Sequence, residues 1–538
     1  LNAARARLIA SWLLLAFSVY LLRYRIALTS DSLFYDALAN DLLVVGGRWR
    51  DWKFSAAPGF VPDMLAYFMA FPLLPDAVSR MHAVSALQAG ALALLSSFAA
   101  RAIAPALRPT GHALIVLLTA FATLVSAKSG MWLYFHTTNN HVSALLAGLL
   151  LIGLLIRFLE APSAARAALA IVIAGLATAS SGLFLLTFGV PALLLACAAW
   201  LKLRRGRIAA VAGIVIAGQL LGLLIGRLLI FHLPLEARGP LSAEAIANSA
   251  AMFLQTLRAA FAPDNLSTLV FSLTVALCLL FLLFLLYLLL ARRPRARPRL
   301  RRAKEEPDWK LNAAGALLCL TAPITVAGMI LSAAFIDAAG LRYLMFPIAL
   351  TLILAVICLD RILARARAGL ARLWLLLALV IGLTAFQHAK KAHMPVDDAA
   401  VVAQCLAGLE SQGVTLRAGV ADYWNARAVS HYLPRHQPIL ATLQTLRPLF
   451  WVSTAGPFLD PQRYPRHYDF VVLRDDAEPG QFFYTVGKVG ALLPPPAGKH
   501  TCAGGRTHIW TYGGDELDTR IDAEIARFLD TGMTLLPP

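Results

Sequence analysis

Apolar residues in this chain come in blocks about as long as a bilayer is thick, and the short segments between the blocks collect Arg and Lys. The blocks fall at about residues 8 to 22, 82 to 100, 112 to 127, 141 to 156, 167 to 180, 183 to 201, 208 to 231, 266 to 290, 311 to 331, 341 to 359 and 371 to 387. Each reaches or approaches the roughly 20 residues a helix needs to cross about 30 Å of hydrocarbon. The pattern predicts eleven spans, within two, with 112 to 127 and 167 to 180 the weakest because their edges carry Ala, Ser and Thr. The first block opens into a polar segment without a small-residue cleavage site, which predicts a retained helix. Residues 61 to 74 are apolar but short and carry Pro62 and Pro72 near their ends. They read as an interfacial helix anchored by Phe60, Tyr67 and Phe68.

Composition agrees with lipid as the solvent. Of 538 residues, 59 % are hydrophobic and only 14 % are charged, too few to cover a water-soluble protein of this size. The net charge of +18 raises nucleic-acid binding as an idea, but its placement argues against it. With the N-terminus inside, the cytoplasmic segments are 1 to 7, 101 to 111, 157 to 166, 202 to 207, 291 to 310 and 360 to 370, with Arg372 at the next edge. They hold 23 basic and 5 acidic residues and leave 25 of each sign for the rest. All the net charge therefore falls on one side, as the positive-inside rule requires. Arg292, Arg293, Arg295, Arg297, Arg299, Arg301 and Arg302 dominate it, in a proline-broken loop suited to anionic lipid.

The same parity places residues 388 to 538 outside. This tail carries 14 basic and 15 acidic residues and reads as a separate soluble α/β domain. VTLRAGVA and YDFVVLRD look like strands, and ARAVSHYL and DTRIDAEIARFLD like helices. Cys405 and Cys502 are the cysteines of the tail. An oxidising compartment permits their pairing, and sequence separation leaves it open. No CxxC or His-x-x-x-His pattern marks a metal site.

Candidate chemistry gathers in the polar loops on the outer side. The first, about residues 23 to 81, intersperses Asp31, Asp36, Asp41 and Asp51 with Tyr35, Arg48, Trp49, Arg50, Trp52 and Lys53. Asp31 precedes a short helix through Ala39 and reads either as its cap or as a carboxylate base facing a membrane cavity. Asp36 and Asp41 suit a solvated or paired face better than catalysis. Arg48, Arg50 and Lys53 suit lipid headgroups or a substrate phosphate. The next outer loop brings Lys128, Trp132, Tyr134, His136, Asn139, Asn140 and His141, a dense donor and acceptor set for a sugar or diphosphate. Arg342 and Tyr343 stand at the outer edge of a later span, where Arg342 either snorkels or meets phosphate. Asp422, Tyr423, Trp424, Asn425 and Arg427 cluster in the tail, with no chemistry assigned to them.

With an acid in its first outer loop, juxtamembrane helices, a distal tail domain and the segment LRYLMFPIAL, the chain resembles the GT-C superfamily of multispanning glycosyltransferases, which use polyprenyl-phosphate-linked sugars. The resemblance implies a GT-C-like polytopic α-helical membrane domain over residues 1 to 387, whose catalytic first loop is residues 23 to 81, and a periplasmic α/β domain over 388 to 538. It implies that Asp31 activates the acceptor or orients the sugar, and that Arg342 and Tyr343 meet the donor. Neither a DxD nor an ExD motif stands in the first loop, so a divalent cation stays open as cofactor. The expected activity is sugar transfer from a polyprenyl-phosphate (undecaprenyl-phosphate type) donor to an extracytoplasmic lipid or polysaccharide acceptor at the bacterial inner membrane, with membrane lipids and no nucleic acid as further partners. A glycan ligase or polymerase, a polyprenyl-linked glycan transporter and a structural membrane module are the rival readings.

Overall fold

The computed structural model describes residues 3–22, 28–55, 57–126, 141–230, 241–260, 309–336, 338–363, 369–390, 398–433, 438–449, 452–460, 462–464, 467–475, 484–502 and 504–531, together with positions 276, 279, 280 and 283. The membrane portion opens with α1 (Ala3–Leu22), followed by the short α2 (Phe34–Asn40) and α3 (Leu65–Ala70). The bundle continues with α4 (Ala77–Ile103), α5 (Pro109–Ser126), α6 (Val142–Glu160), α7 (Ala164–Ser180), α8 (Val190–Leu203) and α9 (Gly206–Leu229). After α10 (Ala243–Ala260), helices α11 (Trp309–Leu331), α12 (Met345–Ile362) and α13 (Gly369–Lys390) complete it.

Among the described residues, eight helical stretches are long and apolar enough to cross a bilayer, which makes this a polytopic helical membrane protein. The stretches Pro109–Leu124 and Ala164–Ser180 are shorter apolar helices, at the two blocks whose edges are least apolar. The block at 266 to 290 lies outside the described residues except at four helical positions. The segment after Pro58 forms a turn over Phe60–Met64 that runs into α3, and together they are too short to cross. α3 turns Leu65 and Met69 outward and buries Tyr67, as an interfacial helix would.

α6 is the central helix and packs against α4, α7 and α12. Its buried Leu145, Leu149, Ile152 and Ile156 join one core with Leu92, Phe188, Leu318 and Phe346. α7 and α9 approach closely because Gly218 and Gly222, four apart on one face, offer no side chain there. A Cβ on Gly218 would lie 2.5 Å from the Ala174 Cβ, and one on Gly222 would lie 2.5 Å from the Gly175 carbonyl oxygen. This is the small-residue packing by which helices associate where lipid supplies no hydrophobic drive.

The basic segments of the sequence meet at one end of the bundle. Arg7 donates to Thr110 at 3.0 Å, Arg108 pairs with Asp360 at 2.7 Å, and Lys310 pairs with Glu160. Arg292 to Arg302 lie outside the described residues. The opposite end carries residues 28 to 84 and the tail.

The tail adds α14 (Asp398–Ser411), β1 (Gly419–Ala421), α15 (Tyr423–Tyr432), β2 (Ile439–Ala441), β3 (Phe470–Arg474), β4 (Gly498–Thr501), β5 (Thr507–Thr511) and α16 (Glu516–Thr531). The strand order is β2-β1-β3-β5-β4. β1 is parallel to β2 and β3, while β5 is antiparallel to β3 and β4. Both strand-like and both helix-like segments of the sequence lie on these elements. Cys405 on α14 and Cys502 after β4 form a disulfide with their Cα atoms 5.6 Å apart. The tail is no detached unit, however. Val402, Leu406, Val429, Phe470 and Ile509 share a core with Leu33, Phe34, Leu38, Trp52 and Met64 of the first loop. Main-chain bonds stitch the two together, Lys53 N to the Ser453 carbonyl at 2.8 Å and Ala455 N to the Asp51 carbonyl at 2.7 Å.

Candidate functional site

Residues 29 to 32 form a tight polar turn before α2. Thr29 N donates to Ser32 Oγ at 2.8 Å, and Leu33 N donates to the Thr29 carbonyl at 3.0 Å. The turn presents Asp31, partly exposed, to the first turn of α15. There Asp422 caps the helix, accepting from Trp424 N at 2.9 Å and Asn425 N at 3.1 Å, and so fixes Tyr423 at the first helical position. The Tyr423 hydroxyl donates to Asp31 Oδ1. One turn on, Arg427 donates to the Ser30 carbonyl at 2.9 Å and to the Val452 carbonyl, and its guanidinium lies 6.0 Å from the Tyr423 ring and 5.9 Å from the Trp52 ring. Burial, then the Asp31 carboxylate, pushes the Tyr423 hydroxyl well above the usual phenol range, so it stays a donor. Burial pulls Arg427 down, and Tyr423 and Asp31 oppose that. Trp424, more than a third exposed, stands beside Tyr423 with ring centroids 5.1 Å apart.

Asp31 is not the cap of α2, whose capping residue is Leu33 with no side-chain bond. The other acids of the loop are held separately. Asp36 accepts from Arg80 at 2.6 Å and Tyr67 at 2.9 Å. Asp41 accepts from Trp52 Nε1 at 2.6 Å and from the Tyr464 hydroxyl at 2.5 Å, another bond between loop and tail. Because Asp36 and Asp41 each have their own partners, these two carboxylates do not converge on one ion.

A second polar group sits where α6 begins. His141 takes a left-handed backbone (φ 64°) as the capping residue of α6, and its Nδ1 lies 3.0 Å from Ser181 Oγ at the end of α7. Its ring meets Tyr343 edge-on at 5.1 Å, and the Arg342 guanidinium lies 5.2 Å from that same Tyr343 ring. Burial, then Arg342, pulls His141 down to about 3, so the imidazole is neutral at ordinary pH. Behind it Asp63, 1 % exposed, accepts from Gln88 Nε2 at 2.9 Å, with Ser143 of the first turn of α6 near the same carboxyl. Ser180 binds the segment Gly59 to Val61 at 2.8 to 3.1 Å through its carbonyl and hydroxyl, and so connects the two groups. Gly59 has φ +63° and a Cβ there would lie 2.2 Å from Tyr35 Oη, so no other residue fits.

The structure therefore places the sequence candidates differently from one another. Asp31 joins Tyr423 and Arg427, and His141 joins Arg342 and Tyr343. Tyr35 is fully buried and gives its hydroxyl to the Pro58 carbonyl at 2.9 Å, which makes it a scaffold. Arg48 and Arg50 are exposed at the rim, whereas Lys53 is buried under the tail. Lys128, His136, Asn139 and Asn140 lie outside the described residues. Asp63, Gln88 and Ser143 escaped sequence reasoning because each is a lone polar residue in an apolar setting. A narrow apolar crevice of about 40 Å³ opens between α4, α5 and α12, lined by Leu92, Ile115, Leu118, Ile348 and Ile353. It starts about one turn into α12, beyond Arg342 and Tyr343. No family model and no curated protein matches this chain.

Proposed function

We propose that this protein is a membrane-embedded glycosyltransferase of GT-C type that moves a sugar from a polyprenyl-phosphate donor to a lipid or polysaccharide acceptor on the extracytoplasmic side of a bacterial inner membrane. The observation that carries the reading is the partly exposed Asp31 carboxylate, held by a buried phenol and set on a turn that a buried guanidinium braces, both from a tail nearly 400 residues away. The remote basic end of the bundle supports it, since the positive-inside rule then puts Asp31 and the tail outside.

In the proposed reaction the donor phosphate sits by Arg342, while its isoprenoid chain follows the α12 surface. The acceptor oxygen attacks the anomeric carbon and its proton passes to Asp31 Oδ2. The carbon–oxygen bond to phosphate breaks, and the departing phosphate takes the electron pair beside the Arg342 charge. Tyr423 holds Oδ1 and Arg427 braces the Ser30 carbonyl next to it, so Asp31 enters the step in a fixed orientation. His141, neutral, offers the sugar a hydrogen bond rather than a charge.

The test is Asp31→Asn in detergent-reconstituted protein, with donor binding, acceptor binding and single-turnover transfer measured separately. A loss of about 10²-fold or more in transfer with both bindings kept is expected. Normal transfer by the variant would sink the assignment.

A further inference from the structure

Beside Asp31 the tail presents a surface that the transfer step has left idle. Trp424 is 37 % exposed although both its neighbours on α15 are buried, and its ring meets the Tyr423 ring edge-on with centroids 5.1 Å apart. The Tyr423 hydroxyl is the group that holds Asp31 Oδ1, so a single sugar unit bridges the interval from indole to carboxylate.

The fold explains why a ligand surface belongs there. β1 is flanked by β2 on one side and β3 on the other, and all three are parallel. The chain leaves β1 through α15 to β2 and then returns past β1 to β3, so the strand order reverses beside β1. Open α/β sheets bind ligands outside the carboxyl ends of their strands at such a reversal. Ala421 ends β1, and Asp422, Tyr423 and Trp424 follow it directly.

The groups left facing outward narrow the chemistry of the ligand. A helix N-terminus ordinarily attracts anions, but that of α15 is already occupied. Asp422 Oδ1 accepts from Trp424 N and Asn425 N, and its Oδ2 accepts from Asn425 Nδ2 at 2.7 Å. Arg427 gives its guanidinium protons to the Ser30 and Val452 carbonyls. What remains is an indole face beside the Asp31 carboxylate, which accepts hydroxyl protons and repels phosphate. A neutral pyranose matches both, with C–H groups on its faces and hydroxyls around its rim.

We propose, resting on the reading of Asp31 as the base of sugar transfer, that Trp424 is the platform on which the end of the acceptor lies, and that this end is an uncharged sugar. The attacking oxygen is then a sugar hydroxyl, and acceptors that end in phosphate are turned away. Charge thereby sorts the two substrates, donor phosphate to Arg342 and neutral acceptor to Trp424.

The test offers an array of neutral glycans, and of glycans bearing phosphate or uronic acid, to full-length protein in lipid nanodiscs free of maltoside, itself a sugar. Wild type should capture neutral glycans. Trp424→Ala should weaken that capture about tenfold or more, Trp424→Phe should keep most of it, and Trp424→Leu should not. Leu equal to Phe would mean that the residue serves as an apolar anchor in lipid, and would overturn the proposal. So would capture of charged glycans alone, capture of none, or equal capture by wild type and Trp424→Ala. In those cases a loss of transfer in Asp31→Asn leaves the base where it is and removes only the platform. Normal transfer by Asp31→Asn, together with capture that depends on Trp424, would instead sink the transferase reading and leave a glycan-binding site.

Discussion

Replacing Asp63 by Asn tests how the fold treats a carboxyl deprived of water. Asp63 lies between the turn at residues 60 to 64, Gln88 of α4 and Ser143 of α6, and it is almost wholly inaccessible. Burial raises it from an ordinary 3.8 to about 6, against the lowering effect of the Gln88 bond and of Ser143 nearby. The folded state thus holds the proton more tightly than the unfolded chain does. The stabilisation from that proton is complete below pH 3.8, declines as the pH rises, and is gone once the pH has passed about 6. Moving a carboxyl over that interval is worth about 3 kcal/mol. Asn keeps the size and hydrogen bonds of the protonated acid but cannot ionise. The stability of Asp63→Asn relative to wild type should therefore be flat at low pH and gain about 3 kcal/mol by pH 7.5. Unfolding midpoints in mixed SDS and maltoside micelles, taken every half unit from pH 3.5 to 7.5, give the difference curve. A constant difference across that range would show that folding does not raise the carboxyl, and a variant that loses ground as the pH rises would show that the fold favours the carboxylate; either result would refute the reasoning.

Two further perturbations probe the union of tail and loop. Tyr423→Phe removes the donor to Asp31 and should weaken docking of the tail by about 2 kcal/mol, seen as faster release of the tail by a protease with unchanged helical circular dichroism. Replacing Cys405 and Cys502 by Ser opens a crosslink spanning 97 residues and should cost the tail about 4 to 5 kcal/mol in denaturant unfolding. An unchanged midpoint after reduction would show that the chain is constrained there by packing alone.

Much of the architecture could be read from local pattern. Span positions, the two weak blocks, the interfacial segment at 61 to 74 and the tail's strand and helix segments follow from runs of a dozen or so residues, and each lies on a matching element wherever it is described. The gathering of basic segments also follows, because alternate loops of a spanning chain must share a side. The site was legible only in part. Asp31, His141, Arg342 and Tyr343 stood out by residue type beside a span. Nothing local told Tyr35, a buried scaffold, from the exposed Arg48.

The sequence by itself determined that this is a multispanning helical protein with a mixed α/β tail, since block length and hydropathy act residue by residue through transfer to lipid. Only the tertiary structure decided what the polar residues do. Asp31 meets Tyr423 and Arg427, Cys405 meets Cys502, and Asp63 loses its water, because each of these depends on which surfaces pack together. Packing joins residues hundreds of positions apart, and no periodicity along the chain encodes that distance.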